Sequence, residues 1–115
     1  MSEIPRGADH ELEFELDLNL TEVQIVWVTF SQNGFKRFRK ETEDIEPVDE
    51  HTLKVHLTQA DTISLKPKMK TSIQIKFMMS DGSVDVTEII RRDVSELLDE
   101  DIIGEEEVEQ DNEST

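Results

Sequence analysis

A chain of 115 residues with 28 acids, 12 bases and no cysteine has room for one modest core and no disulfide framework. Its formal net charge of −16 opposes nucleic-acid phosphates and anionic membrane surfaces, both of which are held through Lys and Arg. The charge is uneven: no base follows Arg92, residues 93–115 hold 11 of the 28 acids, and the remaining 17 acids against 12 bases leave residues 1–92 at −5. No stretch approaches the roughly 18 apolar residues that span a bilayer. The polar start Met1-Ser2-Glu3-Ile4-Pro5-Arg6 predicts no signal peptide.

Residues 1–9, with Pro5 and Gly7, read as a flexible lead-in in which Ile4 could pack. From His10 the pattern alternates. Leu12, Phe14, Leu16, Leu18 and Leu20 take every second position, with Glu11, Glu13, Glu15, Asp17 and Asn19 between them. That is a strand with one apolar and one acidic face, its carboxylates about 7 Å apart along the chain. The next run, Val23, Ile25, Val26, Trp27, Val28 and Phe30, is apolar at both parities and fits a central strand covered on both sides, with Trp27 as core centrepiece. Asn33-Gly34 predicts a type I′ turn. The strand returning from it, Phe35-Lys36-Arg37-Phe38-Arg39-Lys40, should put its aromatics inside and its bases outside.

Residues 41–50, with Pro47, read as an acidic loop in which Ile45 or Val48 could be pinned down. Leu53, Val55 and Leu57 mark another strand. Thr58 and Asp61 have the spacing of a capping box, so residues 58–62 predict one helical turn that carries the chain between sheets. Ile73, Ile75, Phe77 and Met79 alternate, and Ser80-Asp81-Gly82-Ser83 predicts a second hairpin leading to Val84 and Val86. Val94, Leu97, Leu98, Ile102 and Ile103 suit either a short amphipathic helix or a bent last strand. Residues 104–115 carry six acids, no base and little to bury, which predicts a disordered acidic tail. The whole reads as an all-β, immunoglobulin-like antiparallel sandwich of six to seven strands over residues 10–103.

Sites for chemistry are scarce. Glu11, Glu13 and Glu15 lie on an outward face, without the burial that separates the pKa values of catalytic carboxylates. His10, His51 and His56 lack metal-ligand spacing. No Gly-x-Ser-x-Gly elbow or glycine-rich phosphate loop occurs. The expectation is a non-enzyme with no cofactor, no metal and no small-molecule substrate. The candidate interaction surface is Lys36, Arg37, Arg39 and Lys40 together with Glu11, Glu13 and Glu15. Bases interleaved with Phe35 and Phe38 could hold single-stranded nucleic acid, but a half-buried strand accounts for them more simply, and no nucleic-acid or membrane partner is expected.

Three segments carry a family resemblance: residues 20–34, ending in Thr29-Phe30-Ser31-Gln32-Asn33-Gly34; Lys54-Val55-His56-Leu57-Thr58-Gln59-Ala60-Asp61-Thr62; and Ser72-Ile73-Gln74-Ile75-Lys76-Phe77 through Asp81-Gly82. Together they resemble small β-sandwich accessory proteins encoded in phages and prophages of Gram-positive (Firmicutes) bacteria, over roughly residues 8–103. The resemblance implies a virion head, connector or tail accessory that contacts other phage structural proteins or its own copies, in the bacterial cytoplasm during assembly or on the particle. It brings no catalytic residue. The alternative expectation is an acidic inhibitor or DNA mimic that blocks a nucleic-acid-binding host protein.

Overall fold

The computed structural model describes residues 3–100 and 103–104. The expectation for the acidic tail therefore falls almost wholly outside the described residues. Two antiparallel sheets pack face to face. Sheet one has the order β1 (His10–Glu15), β5 (Thr52–Leu57), β4 (Ile45–Pro47). Sheet two has the order β3 (Phe35–Lys40), β2 (Val23–Gln32), β6 (Thr71–Met79), with β7 (Val84–Val86) and β8 (Ile90–Arg92) both on the far side of β6. One helical turn, α1 (Gln59–Ile63), carries the chain from sheet one to sheet two. β1, β5 and β4 thus stand as strands B, E and D of an immunoglobulin-like sandwich, and β3, β2, β6 and β7–β8 as C′, C, F and G. The place of strand A beside β1 holds no strand among the described residues.

Alternation builds the core. Leu12 and Phe14, Leu53, Val55 and Leu57, Val26, Val28 and Phe30, and Ile73, Ile75 and Phe77 are each at most 8% exposed. Burying each such side chain contributes about 1.5–3 kcal/mol. The turns follow the residues expected of them. Asn33 (φ 52°) and Gly34 (φ 84°) both adopt positive φ, the type I′ geometry whose twist matches the flanking strands. At α1 the Thr58 hydroxyl accepts from the Asp61 N–H and the Asp61 carboxylate accepts from the Thr58 N–H, so the capping box is complete.

Several expectations are corrected. Trp27 is not the core centrepiece. Its register partner is Lys76, on the outward face, while Val26 and Val28 on either side of it point in. Ile25 shares that outward face and is 37% exposed. Phe38 does stack on Phe30, at 4.6 Å between ring centres, but Phe35 is 68% exposed. A bulge between Phe30 and Ser31 shifts the register there, and Phe35 falls opposite Gln32, whose amide is occupied with Lys66, Thr71 and Arg37. The strand from His10 ends at Glu15. Asn19 instead caps a 3-10 turn at Leu20–Glu22 by accepting from the Thr21 N–H. Residues 41–50 are not all loop, because Ile45–Pro47 pairs with β5.

Residues 4–9 lie packed on the sandwich. Ile4 is fully buried and bridges Val94 in parallel. Arg6 donates to the carbonyls of Ile63 (3.0 Å) and Leu65 (2.7 Å), groups that the end of α1 leaves without helical partners, and pairs with Glu100 at 2.7 Å. Gly7 sits at φ 87° with Leu97 against it, where a Cβ would collide. Val94 and Leu97 are thus held by the N-terminal segment, and among the described residues no helix or longer strand forms after Arg92.

Candidate interaction surfaces

With one face of each sheet spent on the core, two outward faces remain, and their charges differ in sign. On sheet one, exposed Glu11, Glu13 and Glu15 stand in register with His56, Lys54 and Thr52 of β5, and Glu46 of β4 stands opposite Lys54. Glu11 approaches both Lys54 and His56, at 3.7 Å each. Four carboxylates thus share one lysine, and the face is net acidic.

The basic segment does not form one patch. Strand alternation sends neighbouring side chains to opposite sides, and the bulge disturbs the pattern further. Arg39 points outward, its guanidinium 3.9 Å from the centre of the Trp27 ring and bonded to Glu41 at 2.7 Å. Lys40 turns to the other side and reaches Asp61 at 2.6 Å, with its side chain 15% exposed. Burial raises the Asp61 carboxyl, but hydrogen bonds from Lys40 and Thr58 outweigh it, so the group lies below its ordinary value. Arg37 donates to the Gln32 side chain at 3.2 Å. Lys36 is exposed and has no ion pair among the described residues. The acidic and basic candidates lie on different sheets; Lys40 and Glu11 line one cleft together with Glu46, Lys54 and His56, and Lys36, Arg37, Arg39, Glu13 and Glu15 lie outside it.

The outward face of sheet two reads in rows across the strands. Ile25, Met78 and Val84 form one row, and Trp27, Lys76 and Val86 the next. Thr29, Gln74 and Arg39 follow, then Ser31, Ser72, Lys36 and Arg91. One end of the face is apolar, with Val84 and Val86 55% and 46% exposed. The rest carries Lys36, Arg39, Lys76 and Arg91. Lys76 also lies 5.9 Å from the Trp27 ring, so two cations attend one indole.

The sequence reading missed Ile25, Trp27, Met78, Val84 and Val86 as surface candidates. The signal was present: β2 is apolar at both parities, which fits a strand covered on both sides, yet the fold supplies one covering sheet. Among the described residues no group of three or more His, Cys, Asp or Glu is placed to hold a metal, and no helix is long and apolar enough to cross a membrane.

No protein-family model and no curated protein matches the chain. Among solved structures the chain is similar to the V domain of amphioxus IgVJ-C2, at 12% identity and a TM-score of 0.34, over 83% of this chain and 100% of that one. At that score the fold assignment rests on the strand order and register, which give an all-β, immunoglobulin-like sandwich.

Proposed function

We propose that this chain is a non-enzymatic assembly protein, an accessory of a phage or prophage particle, and that it docks through the outward face of sheet two. The observation that carries the docking surface is the second, uncovered apolar side of β2: Ile25 and Trp27 with Met78, Val84 and Val86, bordered by Arg39 and Lys76. Exposed apolar rows beside cations suit a contact, and Trp and Arg are the residues that most often dominate one. The phage setting is supported by the segment resemblance at residues 20–34, 54–62 and 72–82. The partner is a phage structural protein or a second copy. The test is detection of the protein in purified particles, wild type against Trp27→Ser. Wild type in the particle and the variant depleted from it supports the reading; absence of the wild type from particles overturns it.

The acidic face of sheet one favours a second reading, an inhibitor of a nucleic-acid-binding host protein, because mimicry needs carboxylates fixed on a rigid surface. Binding of that kind weakens steeply with salt, whereas an apolar contact does not.

A further inference from the structure

The sandwich is open along one side. β1 is the edge of sheet one, β7 and β8 form the edge of sheet two, and no strand A lies beside β1 among the described residues. Residues 4–9 close one end of this seam, where Ile4 meets Val94 just beyond β8. At the other end the seam is a groove floored by Leu16, Leu18, Phe77 and Ile90 and rimmed by Glu15, Asp17, Asp85 and Glu88, with no Lys or Arg in its lining among the described residues. None of the four rim acids has an ion pair among the described residues.

Among the described residues, no strand pairs with the backbone of β1 on that side either. The Leu16 N–H donates to the His51 carbonyl at 2.7 Å, continuing the register that pairs His10 with Leu57. In an antiparallel ladder every second residue bonds to the partner strand. His10, Leu12, Phe14 and Leu16 therefore bond to β5, and the N–H and C=O groups of Glu11, Glu13 and Glu15 face the open side.

We infer that this seam accepts an extended segment of another protein, alternating apolar and basic residues, as an added strand along β1. Its backbone would pair with Glu11, Glu13 and Glu15, its apolar side chains would lie on Leu16, Leu18 and Phe77, and its cations would meet the rim acids. The chain's own residues 105–115 are a poor occupant, since their six acids would be repelled by the rim. β3 of a second copy is also poor, because Arg39 and Lys40 are already paired with Glu41 and Asp61. The inference rests on the reading of the chain as a contact protein, but it uses the seam between the sheets rather than the outward face of sheet two, with Val86 common to the two linings.

The test is an amide NMR titration of the full chain with three short peptides: alternating Val and Lys, alternating Val and Glu, and the Val–Lys peptide N-methylated at every second residue. The Val–Lys peptide should shift the amides of Glu11, Glu13, Glu15 and Glu88 and slow exchange at Glu13 and Glu15. The Val–Glu and N-methylated peptides should do neither. Glu15→Lys with Asp85→Lys, both at the rim, should weaken Val–Lys binding about tenfold or more. No response to the Val–Lys peptide overturns the inference, as does an equal response to its N-methylated form or shifts confined to β3 or the outward face of sheet two. The same shifts on concentrating the protein alone would make the occupant a second copy and also overturn it. The particle test reads Trp27, so the two ideas fail separately.

Discussion

Trp27 concentrates the contest between composition and register. A lone tryptophan in an apolar run invites a buried placement, and truncating a buried one would cost about 3–5 kcal/mol. Pairing with Lys76 instead places it half-buried on the outward face, under Arg39. Trp27→Ser should therefore destabilise by only about 1 kcal/mol, the order of an exposed cation–π contact plus partial burial, as urea unfolding would measure. A loss above about 3 kcal/mol would put the indole in the core. His10 offers a second test at this scale. Burial lowers its imidazole pKa from the ordinary 6.5, against the nearby Glu11 carboxylate, which raises it. The unfolded chain thus binds the proton more readily than the fold. The stabilising contribution is fully present above about pH 6.5 and is lost as pH falls through the lower folded value. Unfolding measured across that window should show stability falling with acidification in the wild type, and a flatter profile in His10→Gln.

Among the elements, those set by local chemistry were legible in the sequence. The Asn33-Gly34 turn, the Thr58–Asp61 capping box and the alternation at Leu53–Leu57 and Ile73–Phe77 each follow from residues close together in the chain. Gly34→Val should cost about 1 kcal/mol or more in unfolding free energy, since a β-branched side chain resists positive φ. Features decided by distant partners were not legible. β4 exists because Ile45 and Pro47 find Val55 and Leu53. Residues 4–9 are placed by Val94 and by the carbonyls past α1, which Arg6 reaches across the chain. Arg6→Met should leave those carbonyls without the guanidinium and destabilise by about 1–3 kcal/mol, read as a lower urea midpoint. An unchanged midpoint would mean that the Arg6 contacts contribute nothing net. The candidate site was half legible for the same reason. Acids and bases could be assigned to strands, but which base faces outward depends on the bulge between Phe30 and Ser31, and no local pattern announces that bulge.

At the scale of the whole molecule, one sheet shows an acidic face and the other an apolar face edged with bases. Most of the formal charge of −16 lies outside this division, because residues 93–115 contribute −11 of it. The faces therefore differ more than a net charge of −5 for residues 1–92 suggests. β2 was built as a strand with two apolar sides, and the fold covers one of them. That uncovered side is the central claim, and photocrosslinking on the particle tests it most directly. A benzophenone amino acid at position 27, and in a separate variant at position 46 on the acidic face of sheet one, away from the β1 edge, would be activated in purified particles or in cells assembling them. The account predicts a cross-link from position 27 to a structural protein or to a second copy, and none from position 46. A silent position 27 with a productive position 46 would contradict it.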